Sequence, residues 1–118
     1  MTKVLIVEDE QDALDVLGWW LQENGHQVLT ARTGKAALEL GMNFRPDVVI
    51  TDYFLEDDLN GVDVIEQFRR EQPCVRAVLV TGLLQEGFRD EFPRLSGVPV
   101  LTKPFEFRRL QELVEGQA

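Results

Sequence analysis

Four short apolar runs in this chain end in groups that, brought together, could handle a phosphoryl group. Glu8 and Asp9 follow Val4-Leu5-Ile6-Val7, and Asp52 follows Val48-Val49-Ile50-Thr51. Thr81 follows the run from Val75 to Val80, and Lys103 comes just after Val98-Pro99-Val100-Leu101. Carboxylates gathered at one rim repel one another and raise each other's pKa unless a cation sits among them. A hard divalent ion suits such a site: magnesium takes oxygen ligands, keeps several waters, and needs only two or three carboxylates plus a main-chain carbonyl. An ammonium from Lys103 adds a mobile positive charge. A metal and an ammonium beside one carboxylate can hold an incoming phosphoryl group, neutralise its equatorial oxygens and let an Asp oxygen attack in line. Asp52, just past the continuous apolar run Val48 to Ile50, is the expected centre of that arrangement.

The elements that must position these groups read as an alternation of strands and helices. Val4 to Val7 is a short β-branched strand, and from Asp12 the pattern becomes helical. Ala13, Leu14, Val16, Leu17, Trp20 and Leu21 lie on one broad face and Asn24-Gly25 is a stop. Gln27 to Ala31 predicts a weaker second strand. Thr33-Gly34-Lys35 opens a helix with Ala36, Ala37, Leu38 and Leu40 on its apolar side. Val48 to Ile50 is a strand covered on both faces, and the helix after Gly61 buries Val62, Val64, Ile65 and Phe68. A fourth strand spans Val75 to Val80. Leu83 to Leu95 reads as a poor helix, because Gly87 and Pro93 interrupt it. The fifth strand, Val98 to Leu101, carries Pro99 near its start, which suits a sheet edge. The last helix uses Phe107, Leu110, Leu113 and Val114. Such repeats predict an α/β fold, a doubly wound five-stranded parallel sheet with helices on both faces. In such sheets, ligands bind beyond the carboxyl ends of the strands, where all the candidate groups fall.

Composition narrows the function classes. A length of 118 residues with 44% hydrophobic and 28% charged residues suits a single domain, 1–118, with a real core. A net charge of −9 argues against sequence-independent binding to nucleic acid or to an anionic membrane. Cys74 is the only cysteine, so no intramolecular disulfide or cysteine metal cage is possible, and it is expected to be a small buried residue at a strand start. No apolar run approaches a membrane span and Met1-Thr2-Lys3 leads straight into strand pattern, so a cytoplasmic location is expected. His26, in the turn after the first helix, is expected to be solvated.

Each candidate has an ordinary role if taken alone. Asp9 or Asp12 could simply cap a helix, Lys103 could be a solvated surface charge, and Thr81 could be a turn residue. Four strand ends each offering the required group favour the shared site.

On these residues the sequence resembles the receiver domain of two-component response regulators, over essentially the whole chain. The resemblance rests on Glu8-Asp9 after VLIV, Asp52 after VVIT, Thr81-Gly82 after VLV, and Lys103-Pro104-Phe105. It implies a flavodoxin-like fold with strand order 2-1-3-4-5. It also implies that Asp52 accepts a phosphoryl group from a histidine of a sensor kinase or phosphotransfer protein. Asp9, with Glu8 through water, would help Asp52 and the carbonyl of Phe54 hold Mg2+. Thr81 would bond one phosphoryl oxygen and Lys103 another, with a cis Lys103–Pro104 peptide. Trp19 falls outside the apolar face of the first helix, which in the family is a common docking surface, so it is expected to contact the partner.

The sequence departs from the family at two places. The aromatic residue usual three positions before the Lys is Val100, which leaves the Thr-and-aromatic coupling in doubt. The loop after Asp52 has Glu56 where Pro is common and reaches Gly61 one residue late; its acidic run, Leu55 to Asn60, is expected to do no more than solvate. The expected function is a signalling switch that catalyses only its own phosphorylation and dephosphorylation, with homodimer formation possible. The alternative is a phosphorylation-independent interaction module. A magnesium-dependent phosphatase would need a second acid at Phe54, and a flavin-binding protein would need Gly, Ser or Thr where Glu8-Asp9-Glu10 stands.

Overall fold

The structure is a computed structural model and describes residues 2–82 and 93–116. Strands β1 (Lys3–Val7), β2 (Gln27–Ala31), β3 (Val48–Asp52), β4 (Arg76–Thr81) and β5 (Val100–Thr102) alternate with helices α1 (Gln11–Glu23), α2 (Gly34–Phe44), α3 (Gly61–Glu71) and α4 (Phe107–Val114). The strands pair in parallel in the order β2-β1-β3-β4-β5. This is the doubly wound sheet that the alternation predicts. Most of the predicted fourth helix, residues 83–92, lies outside the described residues; residues 93–95 form a single 3-10 turn.

Because side chains alternate across a strand, the central strands feed two cores at once. Val4, Ile6, Val48, Ile50, Val78 and Val80 meet Leu14 and Leu21 of α1 and Leu110, Leu113 and Val114 of α4 on one face. On the other face Leu5, Val7 and Val49 meet Ala37 of α2 and Val64 and Phe68 of α3, while Leu79 packs with Val62, Ile65 and Val98. All five residues of β3 are buried. At about 1.5–3 kcal/mol for each fully buried Val, Leu, Ile or Phe side chain, this two-sided packing fixes β3 more firmly than a one-sided strand. The residue at its end is correspondingly well placed.

Two helix faces differ from the pattern read in the sequence, and on each glycine takes up buried positions. On α1 the buried positions are Leu14, Gly18 and Leu21; a Cβ at Gly18 would meet Thr30 and Val28 at ordinary contact distance, so α1 lies close on β2. Val16 lies off that face and is turned outward, 52% exposed, instead of into the core. On α2 the buried positions are Gly34, Ala37 and Gly41, and Leu40 is turned outward as well.

Three smaller readings also change. Cys74 is exposed, because β4 begins only at Arg76 and the preceding turn faces solvent. His26 is half-buried, with Nε2 3.2 Å from Gln111 Oε1, because α4 packs over the turn after α1. The N-cap of α1 is Glu10, with no side-chain capping bond, so neither Asp9 nor Asp12 is a cap. Pro99 does precede an edge strand, and β5 is only three residues long.

Candidate functional site

The parallel register carries the candidate groups to one rim. Val7 pairs with Thr51, Asp52 with Val80, and Thr81 with Thr102. Glu8 and Asp9 therefore leave β1 beside Asp52, Thr81 ends the next strand over, and Lys103 emerges one residue past β5. Backbone bonds hold this edge in line: Tyr53 N–H donates to the Val80 carbonyl at 3.0 Å and Lys103 N–H to the Thr81 carbonyl at 2.8 Å.

The side chains converge. Lys103 Nζ donates to Asp52 Oδ2 at 2.7 Å and to Glu8 Oε2 at 3.2 Å. Glu8, Asp9 and Asp52 each offer a carboxylate oxygen, all within 4.8 Å of one another. Glu8 and Asp52 are buried, Asp9 is half-buried, and Thr81 is fully buried at the end of β4. Phe54 N–H lies 3.4 Å from Asp52 Oδ1, while Phe54 itself is about half-exposed. The Lys103–Pro104 peptide is cis.

Two ionisable groups carry the mark of this crowding. Burial, together with the neighbouring Asp52 carboxylate, pushes the Glu8 carboxyl up to about 7, against the opposing pull of Lys103. Burial alone would lower Lys103, but the hydrogen bond and charge of Asp52, followed by those of Glu8, outweigh it and raise the ammonium above its ordinary value. A cluster of acids short of positive charge, all oxygen donors, with Asp9 partly open to solvent, fits a hard divalent cation.

Beside the site a cleft of about 490 Å³ runs between α1 and the segment after β5. Ala13, Val16 and Leu17 form one wall and Phe105 and Phe107 another, with Asp52 and Lys103 among its lining. Val16, turned out of the core, thus borders the chemistry. Trp19 lies further along α1 and is 61% exposed, so it is not partly buried against a neighbour.

The acidic loop after Asp52 is not merely solvated. Asp57 accepts from the N–H groups of Gly34 at 3.1 Å and Lys35 at 2.8 Å at the start of α2, where backbone donors and the helix dipole favour a carboxylate. Glu56 pairs with Arg32 at 3.3 Å, and Arg32 also binds the Asp9 carbonyl. Arg32 was invisible in the sequence as a site residue: a lone Arg after a strand has no spacing signal, and only the tertiary approach of two loops gives it partners. Val100 sits half-buried against Val62, Ile65 and Leu79.

A family profile described as the response regulator receiver domain matches residues 4–115. The chain belongs to this family. Among curated relatives of the receiver, it is 28% identical over 118 residues to the Bacillus subtilis alkaline phosphatase synthesis transcriptional regulatory protein PhoP, covering 96% of this chain and 47% of that protein. It is 30% identical over 110 residues to the Staphylococcus aureus response regulator SaeR, covering 93% and 47%. The receiver thus spans about half the length of these relatives. Its fold matches the response regulator TrrA of Thermotoga maritima, solved in complex with Mg2+ and BeF, with a TM-score of 0.84 and 26% identity over the whole of both chains. A receiver domain protein from Clostridium thermocellum superposes with a TM-score of 0.87 at 24% identity, over 99% of this chain and 94% of that one. Receiver domains are signalling switches of two-component systems and bind Mg2+ at an acidic cluster of this kind. Among the described residues no helix is long and apolar enough to cross a membrane.

Proposed function

We propose that residues 1–118 form a single receiver domain in which Asp52 accepts a phosphoryl group from a histidine of a sensor kinase or phosphotransfer protein. The observation that carries this reading is the Asp52 carboxylate held 2.7 Å from Lys103 Nζ, with two further carboxylates within 4.8 Å. An Asp52 oxygen attacks phosphorus in line as the bond to the histidine nitrogen breaks, and the imidazole leaves with the electron pair of that bond. Asp9, Asp52 and the Phe54 carbonyl, with Glu8 through water, are assigned to hold Mg2+, which when bound neutralises the equatorial oxygens. Thr81 donates its hydroxyl proton to one phosphoryl oxygen and the Lys103 ammonium pairs with another. The chain turns over no external substrate in this reading and catalyses only its own loading and hydrolysis. A cytoplasmic location and a possible homodimer go with it, and the net charge of −9 speaks against direct nucleic acid binding. The test is incubation with a small acyl phosphate and Mg2+, read as intact mass. One labile phosphoryl group, absent when the metal is chelated, is the expected result; a chain that never gains it refutes the reading.

Three expected results follow from particular residues. Lys103→Gln removes the charge that meets the incoming phosphoryl group and should slow its uptake about a hundredfold, as loss of a preorganised electrostatic donor does; a time course of intact mass checks it.

Glu8 gives a pH dependence whose sign is fixed. Because its carboxyl is pushed up to about 7, a proton competes with the metal below that pH. Mg2+ affinity should rise from about pH 6 to about pH 8 and then level off. Glu8→Gln should flatten the rise, and calorimetric titrations with Mg2+ across that range decide.

Trp19, 61% exposed on α1, is assigned to partner contact, where a large aromatic commonly anchors an interface. Trp19→Ala should slow transfer from the cognate histidine donor about tenfold, the equivalent of roughly 1.4 kcal/mol. Equal transfer rates would remove Trp19 from the interface.

A further inference from the structure

We propose that Arg32 is a positioning residue for the divalent-cation site, stapling the turn that carries Asp9 to the loop that follows Asp52. The inference rests on the assignment of Asp9 and the Phe54 carbonyl to that site. Arg32 is the first residue past β2, and its guanidinium reaches in two directions. Nη2 and Nε donate to the Asp9 carbonyl at 2.8 and 3.2 Å, and Nη2 also meets Glu56 Oε1 at 3.3 Å.

The Asp9 side of this staple has few other constraints. Glu8 N–H is tied to the Ala31 carbonyl at 3.0 Å and Glu10 N–H lies 3.3 Å from Glu8 Oε1, but the N-cap of α1 offers no side-chain bond. Two N–H groups of one planar fork converging on a single carbonyl oxygen fix that peptide's orientation, and so the direction in which the Asp9 side chain leaves the backbone. A Lys, with one mobile charge and no fork, cannot do the same.

The Glu56 side is fixed independently. Asp57, the next residue, accepts from Gly34 N–H and Lys35 N–H at the start of α2. Leu59 is seated so closely on Gly34 that a Cβ there would lie 2.7 Å from its own. The residues between Phe54 and Asn60 are therefore a strap anchored on α2, and Arg32 joins that strap to the turn after β1. The family departure in this loop, Glu56 followed by two further acids, supplies both anchors.

Electrostatics and positioning make opposite predictions here, which is what makes the staple testable. A guanidinium close to a cation site repels the cation, so on charge alone removing Arg32 should tighten Mg2+ binding. If Arg32 acts by orienting Asp9, its removal should weaken binding, and Arg32→Lys, which keeps the charge but loses the fork, should weaken it too.

The experiment titrates the full chain with Mg2+ by calorimetry for the parent, Arg32→Gln, Arg32→Lys and Glu56→Gln. It also measures phosphoryl uptake from a small acyl phosphate against Mg2+ concentration. Arg32→Gln and Arg32→Lys should each raise the Mg2+ dissociation constant about tenfold, the lower end of what losing a hydrogen-bond partner behind a metal ligand costs. Glu56→Gln should raise it by about threefold at most. The half-saturating Mg2+ concentration should move by the same factors, with the plateau rate of uptake unchanged; a plain loss of folded protein would lower the plateau instead. Arg32 is half-exposed, and should Arg32→Gln fail to fold, Arg32→Lys decides alone. An arginine variant that binds Mg2+ as tightly as the parent, or more tightly, overturns the proposal while leaving the receiver reading intact. A parent that binds no Mg2+ overturns both.

Discussion

Asp52→Asn is expected to gain no phosphoryl group under conditions that load the parent with one. The amide has nearly the shape of the carboxylate, so a side chain in a residue only 9% exposed can be accommodated without a cavity. The amide oxygen lacks the anionic lone pair that attacks phosphorus, and the nucleophile cannot be replaced from its surroundings. Glu8 has one oxygen engaged by Lys103 at 3.2 Å and the other near Glu10 N–H at 3.3 Å. Asp9 leaves the chain from a different strand end. The substitution has a second, measurable consequence. Without the Asp52 charge, Lys103 keeps only Glu8, and the Glu8 carboxyl loses a neighbour that helps hold it near 7. The midpoint of any Glu8 titration, followed by NMR of its side-chain carboxyl, should therefore move down toward the ordinary carboxylate range in Asp52→Asn. Phosphoryl mass on the variant would make Glu8 or Asp9 the acceptor and remove Asp52 from its role.

The strands and their polar ends were legible because one physical cause shapes both. A strand buried on two faces needs an unbroken apolar run, and where the run stops the sheet edge meets solvent, so Val48 to Asp52 announces its own boundary. Once strands alternate with helices, parallel pairing brings their ends together whatever the loops contain, which is why the sequence alone groups Glu8, Asp52 and Lys103. Helix faces were less legible, because glycine has no hydropathy to reveal it. Gly18 and Gly41 are buried and take places on the inner faces of their helices, while Val16 and Leu40, which the apolar pattern put inside, are exposed. Cys74 failed for a related reason: strand boundaries are uncertain by a residue or two, and that margin decided between core and solvent. The bonds of Asp57 and Arg32 lay beyond the sequence altogether, since an acidic run looks the same whether it faces water or the exposed N–H groups of a helix 22 or 23 residues away in the chain.

Gly61→Ala is expected to damage fold and site together, at a cost of about 3 kcal/mol or more in stability. A Cβ at this position would stand 2.2 Å from the Asp52 carbonyl oxygen, 3.0 Å from its carbonyl carbon and 2.9 Å from Leu79 Cδ1. The leucine methyl could yield by a rotamer change, but the peptide of Asp52 cannot: it ends β3, where Asp52 pairs with Val80 of β4, and the strand is buried along its length. Gly61 cannot easily retreat either. Its N–H donates to the Tyr53 carbonyl at 2.8 Å, closing the loop, and it opens α3 directly behind the reciprocal capping bonds of Asn60 and Asp63, both 2.9 Å. Relieving the clash means lifting the start of α3 from the sheet, which gives up the buried contacts of Val62 and Ile65, or displacing the carbonyl of the residue proposed as the nucleophile. Either path lowers phosphoryl uptake as well as stability. Gly82→Ala is the control, because among the described residues a Cβ there meets nothing within 4 Å, and it should change stability by no more than about 0.5 kcal/mol. Urea unfolding of the two variants, with midpoints compared at unchanged slope, separates them. A Gly61→Ala midpoint at the parent's value would show that the end of β3 has room to move, and with it the premise that a rigid strand aims Asp52 would fail.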